Sequence, residues 1–286
     1  MGNARQAVLW GVIAAAAVAA AAVGTWPVVA GDAEGGGDAT ADAWLHLLWL
    51  WPALAFGAMS VAYVGPRWLG LWMWGKRDDG SLRPASVAFF LPYLAVVWAV
   101  WLVRHLWWLP RRGEHPYNRV APGVIVGRWP LRYPSEWPEG CTRVVDLTAE
   151  FPARRAVTRG RTYRCLASMD CDMPPTAPMV ALAMEVAAWE GDVYVHCANG
   201  HGRSASLAAM VMVLRGQAPG WRAAFEQMRR ARPLVHLQPP QEAILDGVEA
   251  ELLAAARLRG VAVGEKRVDV EDDGTAAPSG GGGGGG

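Results

Sequence analysis

Twelve of the sixteen tryptophans in this 286-residue chain fall before residue 111. That skew divides the chain into two parts that cannot fold by the same rules. The first part is built from apolar runs. Ala7–Val23 is an unbroken stretch of 17 residues, Trp44–Val64 gives 21 with one histidine, and Val87–Val103 gives 17 without a charge. A helix needs about 20 apolar residues to cross a bilayer, and each run approaches that length. Trp44, Tyr63, Trp68, Trp107 and Trp108 crowd the ends of the runs, as expected of rings that sit at a membrane–water boundary. A composition of 52% hydrophobic and only 19% charged residues is too apolar for two soluble domains. Residues 1–110 are therefore expected to form an all-α transmembrane region of about three helices. The weak basic lead-in, Arg5 alone, favours an uncleaved first helix over a secretory signal.

Beyond residue 110 the pattern changes. Val124-Ile125-Val126-Gly127-Arg128 and Arg143-Val144-Val145-Asp146-Leu147 read as strands, as do Tyr163–Leu166 and the run Asp192–Val195. Helical stretches follow at Pro178–Trp189, Ser204–Leu214, Gly220–Arg232 and Pro239–Leu258. Strands alternating with helices predict an α/β domain over 111–258, with a central, mostly parallel sheet flanked by helices. From 259 to 286 the chain turns polar and ends in a glycine run, the composition of a disordered tail.

The chemistry concentrates in residues 196–204, His-Cys-Ala-Asn-Gly-His-Gly-Arg-Ser. Placed between a strand and a helix, such a loop wraps into a cup with its amides inward. The helix start adds unpaired N–H groups and the positive end of its dipole. A dianionic phosphoryl group fits that cup, with Ala198, Asn199, Gly200, His201 and Gly202 as its wall. Cys197 at the floor is the candidate nucleophile, since amide donors favour a sulfur anion there. Arg203 grips two phosphoryl oxygens at once. The Ser204 hydroxyl donates to sulfur and makes it a better leaving group. Gly200 and Gly202 let the backbone approach a ligand. His196 reads as an orienting residue and not as the base. The competing reading is a buried structural cysteine.

The loop resembles the signature His-Cys-x-x-Gly-x-x-Arg-Ser of the cysteine-based protein tyrosine and dual-specificity phosphatases, and the likeness extends over about 118–256. The Glu150-Phe151 turn resembles that of bacterial members. The resemblance implies an upstream aspartate that protonates the leaving oxygen and then activates water. Asp170 and Asp172, 27 and 25 residues before Cys197, are the candidates, with Asp170 preferred. Either one also fits a cap or turn next to prolines. The resemblance further implies a late-loop glutamine that positions water, at Gln241 or Gln238. Asp146 either supports the site or ends a strand. No metal and no cofactor is required, and no metal-ligand spacing is present.

The expected function is a membrane-anchored phosphomonoesterase, foremost a dual-specificity or tyrosine protein phosphatase. The alternative is a lipid phosphatase acting on a glycerophospholipid or phosphoinositide headgroup, and a silent phosphate-binding module is a third reading. The partners are then a phosphorylated protein or phospholipid and the bilayer. The loop carries no lysine, which weighs against highly phosphorylated inositides. A net charge of +1 gives no sign of nucleic-acid binding. Two basic runs (Arg154, Arg155, Arg159, Arg161, Arg164 and Arg222, Arg229, Arg230, Arg232) either attract anionic partners or form solvated faces. Topology is contradictory. The four acids of 31–43 face outward, whereas Arg67, Lys76, Arg77 and Arg83, and also Arg104, Arg111, Arg112 and Arg119, all favour the cytoplasm. One segment is then re-entrant or miscounted, with Trp68–Trp74 the foremost suspect. A multi-pass protein with a cytoplasm-facing catalytic domain is the expectation, because a catalytic thiolate survives best in a reducing compartment.

Overall fold

Valine-rich runs supply the centre of the molecule. In the computed structural model, which describes residues 2–29 and 48–260, the strands are β1 (Tyr117–Ala121), β2 (Val124–Arg128), β3 (Arg143–Thr148), β4 (Thr162–Ser168) and β5 (Val193–Cys197). They form one five-stranded sheet in the order β1-β2-β5-β3-β4. β2, β5, β3 and β4 run parallel, and β1 pairs antiparallel with β2. β2 and β5 are buried at every position, as a strand covered on both faces must be. The expected mainly parallel sheet flanked by helices is therefore present. β1 is an addition that the sequence reading lacks.

The helices are α1 (Gly2–Val29), α2 (Leu50–Val64), α3 (Arg67–Trp74), α4 (Pro84–Val103), α5 (Thr176–Ala187), α6 (Arg203–Leu214), α7 (Trp221–Ala231) and α8 (Pro239–Leu258). Every residue of α6 is buried. It is apolar all round after its first turn, so it sits at the middle of the core, as such a helix must.

Among the described residues two of the three expected spans, Ala4–Val23 and Pro84–Arg111, have the length and composition of a membrane helix. The described part of the middle run, α2, has 15 residues. At about 1.5 Å per residue it reaches about 22 Å, short of the ~30 Å hydrocarbon core. Trp44–Leu47, the acidic segment 31–43 and the tail beyond 260 lie outside the described residues.

The N-terminal helices share a core with the sheet. Trp10, Phe56, Trp74 and Tyr93 pack with Met169 and Ala149. The connection between α3 and α4 closes on itself through a Lys76↔Leu82 bridge. Gly80 accepts the Ala153 N–H at 2.8 Å, and a Cβ at Gly80 would overlap Ala153 and the Tyr163 ring. Lys76, read from sequence as one of the loop charges that favour the cytoplasm, is buried. Its Nζ donates to Asp146 Oδ2 at 2.7 Å, to Thr148 O and Oγ1 at 2.7 and 2.8 Å, and to Phe151 O at 2.8 Å. The other end of α4 is held too. Trp98 and Trp101 donate their indole N–H groups to Glu150 O and Ala198 O at 3.0 and 2.9 Å. Both ends of α4 thus lie against the sheet domain.

Candidate active site

β5 delivers Cys197 to the loop, and α6 begins at Arg203. Three loop carbonyls are held from outside, and the Gly200 N–H points to the sulfur. Ala198 O accepts from the Trp101 indole at 2.9 Å and from the Trp129 backbone N–H at 3.2 Å. Arg232 donates to Gly200 O at 2.8 Å and to Asn199 O at 3.0 Å. Gly200 has φ +72, and a Cβ there would overlap the Gly127 backbone, so glycine is required on both counts. A Cβ at Gly202 would meet the Gln241 amide.

Cys197 is 3% exposed. Its Sγ lies 3.3 Å from Ser204 Oγ and accepts the Gly200 N–H at 3.3 Å. Arg203 is buried and forks onto Glu150, with Nη1 to Oε2 at 3.0 Å and Nη2 to Oε1 at 2.7 Å. Ser168 O takes a further Nη1 bond at 2.7 Å. Burial opposes a charged guanidinium, but Glu150 and Asp170 raise its pKa well above the ordinary value. Asp170 Oδ1 sits 3.1 Å from Nη2 on a side chain 51% exposed. That contact can be exchanged for a phosphoryl oxygen, whereas the buried Glu150 pair is fixed.

Asp170 lines a cavity of about 240 Å³ together with Cys197, His201, Gly202, Arg203 and Gln241. Asp172 is buried and does not line it. Cys171 between them adopts φ +61, a left-handed conformation that a non-glycine residue takes only under constraint, and it turns the chain between the two acids. Gln241 occupies the third position of α8 in a reciprocal capping pair with Gln238. Its Oε1 accepts the Gln238 N–H at 2.9 Å, and its Nε2 donates to Asp172 O at 3.5 Å. The structure therefore gathers the loop, Asp170 and Gln241 around one space, with Ser204 buried against the Cys197 sulfur and Asp172 outside the lining.

Residues 135–240 match the family described as PTP-SAK, Swiss Army Knife protein, DSP-PTPase phosphatase domain. That segment belongs to the cysteine-based dual-specificity phosphatase superfamily. A human protein, phosphatidylglycerophosphatase and protein-tyrosine phosphatase 1, is 25% identical over 166 residues, covering 52% of this chain and 81% of its own. Among solved structures, PTPMT1 is 23% identical over 50% of this chain and 99% of its own, with a TM-score of 0.42. Human DUSP28 is 26% identical over 48% and 95%, with a TM-score of 0.41.

In this phosphatase domain burial disfavours the charged form of two histidines, His196 and His201. Burial holds His196 below its ordinary value, against the pull of Asp146, whose Oδ1 lies 3.9 Å from Nδ1. His196 sits behind the loop and not in the cavity, which suits an orienting residue. Burial likewise lowers His201, whose Nε2 lies 2.7 Å from Glu114 Oε1. Burial would raise the Glu114 carboxyl, but the His201 bond and the Arg232 charge draw it below its usual range. A neutral His201 donating to an ionised Glu114 satisfies both shifts. Arg232, read from sequence as part of a basic surface run, is fully buried and pairs with Glu114. Asp146 is a support. Burial would raise its pKa, but the Lys76 ammonium, with the Thr148 N–H, holds it well below the carboxylate range.

Glu150, Glu114, Arg232, Lys76 and Trp101 are the residues that sequence reasoning does not single out as parts of the site. Glu150 carries one usable signal: a buried phosphate-binding arginine needs a buried carboxylate, and Glu150 follows β3 directly.

Proposed function

We propose that this chain is a phosphomonoesterase that works through a phosphocysteine and acts on a membrane phospholipid. One observation carries the choice of substrate class. A second cavity of about 240 Å³, walled by apolar side chains of α1, α2 and α4 such as Trp10, Tyr63, Val97 and Trp101, shares Gln6, Arg104, Asp170 and Asn199 with the catalytic cavity. A phosphoryl group in the cup then has an apolar space beside it, supplied by the membrane-like part of the chain. The human relative is named for both a lipid and a protein-tyrosine activity, so its name supports both classes. The apolar space favours the lipid over the protein substrate that heads the sequence reading.

The residues divide the reaction as follows. The Cys197 thiolate attacks phosphorus in line, forming the S–P bond as the P–O bond to the alcohol breaks. Arg203 and the loop amides hold the equatorial oxygens. The phosphoryl group takes the Asp170 position on Arg203 and leaves that carboxyl facing the departing oxygen, to which it gives its proton. In the second step Asp170 accepts a proton from water, positioned by Gln241, as oxygen attacks phosphorus. Ser204 donates to the departing sulfur. Asp172 takes no part.

Membrane association is part of the same reading. Val8, Val12, Val100 and Val103 on α1 and α4 are exposed at 66%, 63%, 64% and 63%. Arg104, Arg111 and Arg112 stack on Trp108, Trp107 and Trp108, pairs suited to the headgroup layer. The four cysteines are free, which fits a reducing, cytoplasm-facing location.

The test compares phosphatidic acid in mixed micelles, its deacylated product glycerol phosphate, and a phosphotyrosine peptide. The acylated substrate is expected to exceed its deacylated form by at least about 100-fold in kcat/KM, which burial of three to four methylenes at ~0.8 kcal/mol each supplies. Val97→Trp should narrow that ratio. A peptide turned over faster than any lipid would return the assignment to a protein phosphatase.

A further inference from the structure

We infer that Arg104 is an anion clamp for a phosphodiester lying between the scissile phosphoryl group and the acyl chains. The inference rests on the phospholipid reading for the acyl chains but on this chain's own geometry for the charge. Arg104 opens a π turn, Arg104–Trp108, in which the Leu109 N–H reaches back to Arg104 O. Such turns recur at functional sites. The turn ends α4 and lies outside the matched segment 135–240. Arg104 and Gln6 are the two residues of the N-terminal helices that line both cavities, so they stand where the cup meets the apolar space.

The other cations around the cup are already matched. Arg203 is held by Glu150, Arg232 by Glu114, Arg128 by Glu136 and Lys76 by Asp146. His201 is neutral and bonded to Glu114. Among the described residues Arg104 has no ion pair and no side-chain hydrogen bond. Its Nε is buried without a partner, and its guanidinium lies 4.9 Å above the Trp108 ring. A half-buried cation of this kind is costly until an anion meets it. An anionic group placed between a phosphomonoester and two acyl chains is a phosphodiester. A lipid whose single phosphate is the monoester itself has nothing to offer Arg104. The second phosphate, for which the loop has no lysine, is therefore read by a residue outside the loop.

The experiment uses the full chain in detergent micelles with four substrates. Phosphatidylglycerol phosphate and its deacylated form carry a phosphodiester, whereas phosphatidic acid and glycerol phosphate do not. Arg104→Gln is expected to lower kcat/KM on the two diester-bearing substrates at least about tenfold more than on the other two, mainly through KM, as loss of a charge-assisted bond implies. Arg104→Lys should restore most of the difference. An equal loss on all four substrates, or no loss on any, overturns the clamp. A diester-selective loss seen also on the deacylated pair upholds the clamp even where the acyl chains prove to contribute nothing, so the two readings fail separately.

Discussion

Replacing Cys197 by serine is expected to abolish phosphate release while the fold stays intact. The Sγ touches only Ser204 Oγ and the Gly200 N–H by hydrogen bonding, at 3.3 Å each, and a hydroxyl can keep both contacts in the same volume. The loop carbonyls remain held by Trp101, Trp129 and Arg232, so the cup survives the change. The nucleophile does not, because an alcohol without a neighbouring base is a far weaker attacking group than a thiolate. His196 cannot serve as that base, since it lies buried outside the cavity and burial disfavours the imidazolium that accepting a proton would create. Turnover of an aryl phosphate should fall by more than about 10⁴-fold, the scale seen when a covalent nucleophile is removed. The thermal midpoint should stay within about 3 °C, corresponding to a change of no more than about 1 kcal/mol. Turnover above one hundredth of wild type would remove Cys197 from the mechanism.

Replacing Lys76 by methionine is expected to destabilise the protein by about 3–5 kcal/mol, the cost of leaving a buried charge without its partner. Lys76 and Asp146 are 1% and 0% exposed and 2.7 Å apart. The ammonium also serves Thr148 O and Oγ1 and Phe151 O, so its loss leaves several acceptors buried at the end of β3. Asp146→Asn in the Lys76→Met background should recover part of the loss by removing the stranded charge. The pair also sets a pH signature. The folded pKa of Asp146 lies below its unfolded value, so its contribution is complete above the unfolded pKa of about 3.9 and is lost as pH falls toward the folded one. Acid unfolding should therefore be shallower between pH 5 and pH 3 in the double variant than in wild type. Chemical unfolding across that range reads both effects. A Lys76→Met protein as stable as wild type would mean that the N-terminal region does not lock onto the sheet in this way.

The elements that carry the phosphatase signature are legible from local pattern. Val124–Arg128 is read as a strand with the bounds that β2 shows, and Ser204–Leu214 and Pro239–Leu258 match α6 and α8 to within one residue. These segments owe their structure to apolar runs, a glycine turn and a proline-led helix start, all of which are sequence-local. The site's supports are not local. Glu150 lies 53 residues from Arg203, Glu114 lies 87 from His201, and Lys76 lies 70 from Asp146. No spacing rule links such pairs, so Lys76 reads only as a loop charge that favours the cytoplasm and Arg232 as part of a basic run. How many of the three apolar runs span a bilayer is not legible for a related reason. Hydropathy reports that a helix is apolar, but it does not report whether lipid or the face of a sheet domain covers it. Trp98 and Trp101 of α4 bond to Glu150 O and Ala198 O, and they look the same in sequence as tryptophans of a membrane belt. Asp170 and Asp172 are two apart and chemically equal, and only the left-handed turn at Cys171 separates them.

The most direct measurement is a rapid acid quench of the Asp170→Ala protein mixed with an aryl phosphate, followed by mass spectrometry of the peptide that holds residues 196–204. An aryl leaving group departs without an acid, whereas hydrolysis of the S–P bond still needs a base. Close to one phosphate per chain is expected, carried on Cys197, with no such build-up in Asp172→Ala. Phosphate on another side chain, or turnover with no covalent phosphate in either variant, would contradict the Cys197 mechanism.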